Sequence, residues 1–446
     1  MLKFVSILKS GLARFSASTK PRRLTILFAA ALAIGKVFVL AFPSNINLNV
    51  NTDYFTDYEP TAENILNGRG IAGADGQLET RYPPGYPFFL VVAYKVGDVF
   101  HLDREKVIVG FNLITGAASS LFVYLTIELL FGASIALLTW FLWTSYIPGL
   151  VTMLLPNSEV PFMLFFFAAV WAFCFGAYGG RASARTGVFA GLFLGVAALV
   201  RPIAVFLPCV FVAAAFVWTF SSSKPEQRDK KAGLRMAAAI VAGFVLSIAP
   251  WELFVRAKVG QFILLSSNGP ASISEGLVFG LTPASAGEQL NMSTHLRDLM
   301  ERANCERGGM RTNSAILRFV WNESLQNPRG VAELAFLKMR RAWYGMYSKS
   351  HEWPLIALQL PYLVLGVTGL ASLFETRKEN AAQAAFLCSL VVYFRAMACV
   401  VVPLLRYMVP SMAYVMAFAA VVLEMVCSRL SLEGHSPIRR SWQETP

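Results

Sequence analysis

The sequence has little charge. Asp, Glu, Lys and Arg make up only 15% of its 446 residues, whereas a soluble domain carries roughly 25%. Hydrophobic residues account for 56% of the chain, and apolar runs of about 20 residues, the length that crosses a bilayer, recur along it. The composition therefore excludes an ordinary soluble domain and predicts an all-α polytopic membrane protein.

Histidine and paired cysteine are also scarce. The four histidines are scattered and the six cysteines form no CxxC pair, so we expect neither a disulfide framework nor a zinc site built from histidines. Five cysteines lie in or at the edge of apolar runs: Cys174, Cys209, Cys388, Cys399 and Cys427. No internal repeat, heptad or low-complexity run is present.

Acidic residues are outnumbered by basic ones, 27 to 39, which gives a formal net charge of +12. Most of the basic residues lie between apolar runs or in one long loop. This distribution is typical of membrane topology and of contact with anionic headgroups. We therefore expect membrane lipids as partners, and no nucleic acid.

The apolar runs predict about ten membrane spans, at residues 24–42, 106–130, 133–149, 160–178, 184–200, 202–220, 235–254, 353–374, 381–402 and 407–427. Six basic residues and no acidic one precede the first span, which favours an uncleaved span with a cytoplasmic N-terminus over a cleaved signal peptide. Basic residues also cluster in three loops and in the tail: Arg181 and Arg185, Lys224 to Arg235, Arg377 and Lys378, and Arg429, Arg439 and Arg440. Ten spans place all of these clusters, and both termini, on the cytoplasmic side.

The apolar stretch Pro84–Val99 is ambiguous, because it has about 16 residues and carries Lys95. As an eleventh span it would turn every later basic cluster outward, against the positive-inside preference. We therefore predict that it lies along the outer membrane surface as an interfacial helix, with its tyrosines at headgroup level.

Two large segments then face outward, residues 44–105 and residues 255–352. The second segment predicts short helices at Asn313–Gln326 and Val331–Tyr344. The apolar positions of these helices indicate packing on the membrane face. The chain divides accordingly into an N-terminal transmembrane core at 1–254, this outer loop at 255–352, and C-terminal helices with a cytoplasmic tail at 353–446.

The first outer segment crowds three carboxylates, Asp53, Asp57 and Glu59, into seven positions. A carboxylate at the bilayer edge is suited to act as the general base that takes a proton from an acceptor. An ordinary polar loop with helix-capping acids is the alternative. Glu159, between spans three and four, maps to the same face and is a second candidate, although a helix N-terminal acid would also be favoured there.

Four arginines, Arg81, Arg201, Arg256 and Arg406, map to the outer surface or to outer ends of spans. Together they could form a pocket for a phosphate, which suits guanidinium geometry. As headgroup anchors they would instead snorkel to the membrane surface. Arg395 lies inside the ninth apolar run, where an ionisable residue predicts a functional role.

The order of several motifs resembles the GT-C superfamily. These motifs are Tyr58 to Gly68, Arg81-Tyr-Pro-Pro-Gly-Tyr-Pro-Phe-Phe-Leu90, Ser158-Glu159-Val-Pro-Phe, Gly191 to Pro202, Pro250-Trp251 with Arg256, Ser266-Ser-Asn-Gly269, and Arg406-Tyr407 with Pro410. Within GT-C, the chain is similar to the branch of protein O-mannosyltransferases, bacterial aminoarabinose transferases and rhizobial lipopolysaccharide-core galacturonosyltransferases. The likeness covers most of the chain.

This resemblance implies a site on the outer face, a polyprenyl-phosphate sugar as donor and inversion of the anomeric centre. It also implies a first-loop aspartate as base, for which we favour Asp53 over Asp57, with Glu159 in support. The residues that the resemblance assigns to substrate binding are Arg81, Tyr82, Tyr86, Arg201, Arg256, Arg406 and Tyr407. Some relatives hold a divalent cation and others do not, so we assign no metal ligand and leave a divalent cation possible.

The resulting hypothesis is an inverting membrane glycosyltransferase, a hexosyl- or pentosyltransferase of the plasma (inner) membrane with an extracytoplasmic site. Its acceptor is open among lipid A, lipopolysaccharide core, a cell-wall glycan and protein. The alternatives are a transporter or flippase of lipid-linked sugars, which would place charges along its spans, and a non-catalytic assembly subunit.

Overall fold

The computed structural model describes residues 19–42, 53–179, 183–221, 230–281, 292–346 and 351–433. Within these ranges the chain is almost entirely helical, and the only strand-like pairing is one isolated antiparallel bridge between Ala72 and Leu78. Several of the basic residues that predict the topology lie outside the described ranges, namely those of residues 1–18, Arg181, Lys224, Arg228, Arg439 and Arg440.

The α-helices follow one another along the chain. Their bounds are α1 Lys20–Ala41, α2 Glu59–Leu66, α3 Gly85–Phe100, α4 Arg104–Phe131, α5 Ala133–Thr144, α6 Ile147–Met153, α7 Glu159–Ala177, α8 Ala184–Val200, α9 Leu207–Ser221, α10 Lys230–Val259, α11 Gly269–Val278, α12 Thr294–Glu306, α13 Asn313–Gln326, α14 Pro328–Arg341, α15 Glu352–Thr376, α16 Ala381–Val400 and α17 Val409–Glu433.

Eight helices in the described ranges are long and apolar enough to cross a membrane. They are α1, α4, α7, α9 with the short turn before it, α10, α15, α16 and α17. The span predicted at 133–149 is a pair of helices, α5 and α6, bent by 58°. The span predicted at 184–200 is α8, which has 17 residues and is therefore about 26 Å long. The all-α membrane fold predicted from the sequence is confirmed.

Helix α8 packs closely along α10 because one of its faces carries glycines. Gly187, Gly191 and Gly195 lie four residues apart and so share that face. A Cβ atom on Gly187 would lie 2.7 Å from the carbonyl oxygen of Met236, and one on Gly191 would overlap the carbonyl oxygen of Ile240. Small residues that let two backbones approach in this way are a common device for joining helices in membranes.

Ion pairs join helix ends at the side of the bundle that is predicted to be cytoplasmic. Arg23, at the start of α1, lies 3.0 Å from Glu128 near the end of α4. Arg377, just after α15, lies 3.0 Å from Glu424 in α17. These contacts bring together helix ends that the ten-span topology places on one side. The absolute direction of the chain in the membrane stays a prediction.

Helix α3 does not cross the bundle. Its first residue, Gly85, lies against the backbone of Leu199 and Val200 at the end of α8. Near its other end, the ring of Tyr94 lies 4.6 Å from the guanidinium of Arg104, at the start of α4. Because successive spans alternate in direction, the start of α4 and the end of α8 belong to the same side. In the ten-span topology both ends of α3 therefore lie on one side, as the interfacial position predicted for Pro84–Val99 requires, and that position stays a prediction.

The tyrosines of α3 face the protein core, so they do not contact headgroups as an interfacial anchor would. Tyr86 and Tyr94 are wholly buried in the protein, where their rings add to the core. The residues exposed on this helix are apolar instead, and include Phe88 and Val92. Tyrosine rings bury a large apolar area, which stabilises the packing of α3 on the bundle.

The outer segment that follows α10 has a small hydrophobic core of its own. Helices α11 to α14 contribute side chains such as Leu277, Leu299 and Phe319 to it. Val402 and Leu404, from the loop between α16 and α17, complete this core. The outer segment is therefore attached to the loop that precedes α17, and α13 matches the helix predicted at Asn313–Gln326.

Candidate functional site

Asp57 and Arg81 form one wall of the candidate site. Asp57 belongs to a π-helical turn, Tyr54–Tyr58, that leads directly into α2. Its carboxylate is buried and accepts hydrogen bonds from Nη1 of Arg81, at 3.3 Å and 3.4 Å to its two oxygens. The side chain of Arg81 is 51% exposed. The pair therefore joins a buried carboxylate to a guanidinium that solvent or a ligand can reach.

Asp53 lies one turn before Asp57 and is half-buried. Residues four apart in a helical turn share a face, and the Asp53 carboxylate is close enough to Arg81, Tyr58 and Tyr82 to act on them electrostatically. The first two carboxylates of the cluster are thus both on the side of Arg81.

The third carboxylate of the cluster, Glu59, points elsewhere. It accepts a hydrogen bond from the hydroxyl of Tyr54 at 3.3 Å, and that hydroxyl lies 2.7 Å from the hydroxyl of Tyr94. Burial raises the pKa of Glu59, and the neighbouring carboxylate of Glu63 adds to this effect. Glu59 therefore belongs to the corner between α3 and α4 rather than to the site.

Glu159 and Arg201 form the opposite wall. Glu159 is the first residue of α7, where the helix dipole favours a negative charge. Arg201 follows the last residue of α8 in an extended conformation. The two side chains form an ion pair and are only 6% and 13% exposed. Nη1 of Arg201 also lies 3.4 Å from the hydroxyl oxygen of Ser158.

Arg406 and Tyr407 extend this wall from a short helical turn, Leu405–Tyr407, just before α17. The ring centroid of Tyr407 lies 5.6 Å from the guanidinium of Arg201 and 5.1 Å from that of Arg406. The charge of Arg406 also acts on Glu159. Two guanidinium groups thus surround one carboxylate and one ring, so this wall carries a net positive charge.

Tyr58 joins the two walls. It directly follows Asp57 and is buried, and its ring centroid lies 4.8 Å from that of Tyr82. Its hydroxyl lies near Ser158 and near Arg201. Burial raises the pKa of Tyr58 far above its usual value, so the hydroxyl stays neutral. The wall of Asp53, Asp57 and Arg81 (the acidic wall) and the wall of Glu159, Arg201 and Arg406 (the basic wall) therefore meet across this one side chain.

Tyr86 lies behind Tyr58 and not at the surface of the site. The two ring centroids are 4.9 Å apart in an edge-to-face arrangement, and Tyr86 is wholly buried. Its hydroxyl has no hydrogen-bond partner in the described part of the chain. This position supports Tyr58 from behind and does not favour the direct substrate contact expected for Tyr86.

Glu79 and Asn268 belong to the site although the sequence did not single them out. The carboxylate of Glu79 accepts hydrogen bonds from the backbone N–H groups of Arg81, at 2.5 Å, and Tyr82, at 3.4 Å. Burial raises the pKa of Glu79, although the backbone N–H of Arg81 opposes this. Asn268 contacts the side chains of Arg81 and Tyr82. Its only sequence signal is membership of the Ser266–Gly269 motif.

Two other predicted arginines lie apart from this cluster. Arg256 is exposed in the last turn of α10, and among the described residues no hydrogen bond or ion pair joins it to the site. Arg395 lies in α16, with its guanidinium 5.2 Å from the ring centroid of Trp343. Its partner is thus a ring of the outer segment.

A metal site is not formed by the described side chains alone. In those ranges no three His, Cys, Asp or Glu residues are grouped so that they could hold a metal ion. The carboxylates Asp53, Asp57 and Glu79 instead surround Arg81, whose guanidinium supplies the positive charge there. A divalent cation stays an untested possibility.

Comparisons with known proteins place this geometry in context. Residues 81–251 match a family model described as dolichyl-phosphate-mannose-protein mannosyltransferase. None of the curated proteins compared with the sequence matches it significantly.

Solved structures resemble the chain over nearly its whole length. The apo oligosaccharyltransferase of Archaeoglobus fulgidus superposes with a TM-score of 0.55 at 15% identity, over 93% of this chain and 52% of that one. The oligosaccharyltransferase AglB of the same organism, in complex with an inhibitory peptide and a dolichol-phosphate, gives a TM-score of 0.53 at 14% identity, over 96% and 53%. The fold is GT-C-like. The present chain spans about half the length of these structures.

The candidate site extends beyond the segment that matches the family model. That segment begins at Arg81 and includes Glu159 and Arg201, whereas Asp53 and Asp57 precede it.

Proposed function

We propose that the chain is an inverting membrane glycosyltransferase. It moves a sugar from a polyprenyl-phosphate carrier to an acceptor at the extracytoplasmic face of the plasma (inner) membrane. The observation that carries the proposal is the meeting of the Asp57–Arg81 wall with the Glu159–Arg201–Arg406 wall across Tyr58. The reaction takes a proton from the acceptor and releases a phosphate from the sugar. It therefore needs a carboxylate on one side of the sugar and positive charge on the other.

The acidic wall supplies the base. The Asp57 carboxylate accepts from Arg81 on both of its oxygens, whereas no hydrogen bond joins the carboxylate of Asp53 to another described side chain. Asp53 is therefore the carboxylate available to take the proton of the acceptor. Asp57 holds the guanidinium of Arg81 beside it.

The basic wall takes the leaving group. In a single displacement, the acceptor oxygen forms a bond to the anomeric carbon, the bond from that carbon to the phosphate oxygen breaks, and the acceptor proton passes to Asp53. The phosphate leaves with an additional negative charge. Arg201, Arg406 and the exposed edge of Arg81 stabilise this charge, because guanidinium groups pair with phosphate oxygens through directed hydrogen bonds.

Family and fold support the choice of donor. The family model that matches residues 81–251 is named for a dolichyl-phosphate-mannose donor, and one structure of similar fold contains a dolichol-phosphate. We infer a polyprenyl-phosphate sugar of the same chemical class as donor. Lipid A, lipopolysaccharide core, a cell-wall glycan or a protein is the acceptor.

Labelled donors test the proposal. Proteoliposomes containing the parent protein would be given a panel of radiolabelled polyprenyl-phosphate sugars together with envelope fractions as acceptors. We expect Asp53→Asn to lower transfer by about 100-fold or more, the range of general-base catalysis, and Asp57→Asn to lower it by less. Glu63→Gln is the matched control, because Glu63 pairs with Arg104 at 3.0 Å, away from the site, and should leave transfer unchanged.

Two outcomes would contradict this assignment. Transfer that proceeds normally in both aspartate variants would exclude the proposed base. Passage of the labelled lipid across the bilayer without consumption of the donor would identify a flippase instead.

A further inference from the structure

The loop between α10 and α11 reaches across to the first outer segment, although the two are about 185 positions apart in sequence. The backbone N–H of Ser267 donates to the carbonyl of Thr80 at 2.8 Å. The hydroxyl of Ser266 donates to the carbonyl of Arg81. The backbone carbonyls on either side of the Arg81 Cα atom are thus both bonded to a distant loop.

Helix α10 holds this loop in an unusual shape. Leu265 has a φ of 60°, in the left-handed region that a branched side chain seldom adopts. Its N–H donates to the carboxylate of Glu252 at 2.7 Å, and its carbonyl accepts from the indole N–H of Trp251 at 3.1 Å. A strained conformation persists only where its surroundings enforce it, so the loop is a fixed support.

Asn268 presents its amide to two side chains of the candidate site. Its Oδ1 accepts from Nε of Arg81 at 3.3 Å, and its Nδ2 donates to the hydroxyl of Tyr82 at 3.1 Å. Because a guanidinium can only donate, the contact with Arg81 fixes which way the amide faces. The Tyr82 oxygen must then accept, which leaves its own O–H to donate to something else.

The same contacts leave one edge of Arg81 open. Nε is bonded to Asn268 and Nη1 to Asp57. Nη2 has no hydrogen-bond partner among the described residues, and about half of the side chain is exposed. The guanidinium plane is thus held at two nitrogens, and two donors, Nη2 of Arg81 and the hydroxyl of Tyr82, are left for a ligand rich in acceptor atoms.

We propose that Asn268 is a positioning residue that fixes Arg81 and Tyr82 as a pair of donors for the phosphate of a polyprenyl carrier. The inference rests on the proposed function and adds the outer loop after α10 to the donor site. Asparagine suits this role because a single amide supplies both the acceptor for Arg81 and the donor for Tyr82. Alanine supplies neither.

A double-mutant cycle on lipid binding tests the inference. Full-length protein in detergent would be titrated with geranylgeranyl phosphate, a polyprenyl phosphate without sugar, and affinity measured by calorimetry for the parent, Asn268→Ala, Arg81→Ala and the double variant. We expect Asn268→Ala alone to weaken binding roughly tenfold, because it releases a charged hydrogen-bonding partner. In the Arg81→Ala background it should weaken binding by only about threefold, since the contact with Tyr82 is then the only one left for it to remove.

A control and a second variant separate positioning from folding. The amide of Asn327 also makes two hydrogen bonds in the outer segment, to the carbonyl of His295 and the N–H of Gly330, but touches neither Arg81 nor Tyr82. We expect Asn327→Ala to leave the affinity unchanged. Tyr82→Phe removes only the hydroxyl, should weaken binding several-fold, and should not add to Asn268→Ala.

The inference is overturned if Asn268→Ala leaves the affinity unchanged, if its effect adds fully to that of Arg81→Ala, or if the parent protein does not bind the lipid phosphate. The result is separate from that of the transfer assay. A coupled cycle in a protein that transfers no sugar would contradict only the proposed function, whereas an uncoupled cycle in an active transferase would contradict only the role of Asn268.

Discussion

At the scale of single residues, the pair of Glu159 and Arg201 stabilises the basic wall. Both side chains are almost fully buried. Glu159→Gln would leave the charge of Arg201 buried without its partner, which costs about 3–5 kcal/mol. Glu63→Gln, at an ion pair with roughly 40% of each side chain exposed, should cost about 1 kcal/mol or less. Thermal unfolding in detergent measures both, and equal losses would contradict the prediction.

A second prediction at this scale concerns Lys338 in α14. Its ammonium donates to the carbonyl of Val400 at 3.3 Å, and burial lowers its pKa to about 7, from about 10.4 in an unfolded chain. Between these values the unfolded chain binds more protons, so stability should rise as the pH rises from about 7 to about 10.

The pH dependence of the thermal midpoint, measured in detergent across this range, checks the expectation for Lys338. Lys338→Met removes the titrating group and should flatten the rise. A parent protein whose stability falls over this range, or a variant with the parent's slope, would show that another group controls the dependence.

Several residues of the site could be predicted one by one, whereas their partners could not. Asp57, Arg81 and Glu159 were identifiable because polar residues are rare in this sequence. The direction of Glu59, away from Asp57, depends on the π-helical turn. The contact with Asn268 depends on a loop that lies far along the chain. Side-chain partners of this kind follow from three-dimensional approach, which sequence spacing does not contain.

At the scale of helices, Gly85 explains one feature of the Pro-Pro-Gly-Tyr-Pro motif. A Cβ atom at this position would lie 2.7 Å from the carbonyl carbon of Leu199 and 2.8 Å from the nitrogen of Val200. These are backbone atoms directly before Arg201, so they cannot move aside without moving the basic wall. Glycine is therefore what lets α3 meet the end of α8.

We expect Gly85→Ala to push α3 away from α8. Overpacking of this kind destabilises by about 1–3 kcal/mol, and it should also weaken the binding of geranylgeranyl phosphate, because Arg81 would move relative to Arg201. Gly110→Ala in α4 is the matched control, since its Cβ would meet nothing within 4 Å. Affinity and thermal midpoint that are unchanged in Gly85→Ala would refute the packing argument.

The sequence predicted where the helices lie along the chain better than it predicted their shape. The apolar runs predicted nearly all of the spans, but the run at 133–149 was predicted only as a single span. Pro148 has no N–H to donate to the carbonyl of Thr144, so the hydrogen-bond ladder is interrupted there. Helices α5 and α6 are accordingly two helices bent by 58°. The proline is visible in the sequence, whereas the size of the bend depends on packing.

At the scale of the whole molecule, the sidedness of the membrane can be tested with two cysteines of the chain. Cys305, in α12 of the outer segment, and Cys427, near the far end of α17, are both exposed. We expect a membrane-impermeant maleimide to label Cys305 in intact cells and Cys427 only after permeabilisation. Because Cys209 is exposed as well, the test uses a Cys209→Ser background. There Cys305→Ser should abolish labelling in intact cells, and the opposite pattern would place the site on the cytoplasmic side.

The sequence by itself determined that the chain is a helical membrane protein, and it narrowed the candidate site to a few polar residues next to the apolar runs. Runs of apolar residues must be buried in lipid or protein, and the few ionisable groups between them have little choice of position. Only the tertiary structure decided that Asp57 with Arg81 and Glu159 with Arg201 meet across Tyr58, that Arg256 lies apart, and that Asn268 joins them. Those outcomes depend on close approach between helices at glycines and on the shape of a strained loop, neither of which is encoded in the spacing of residues along the chain.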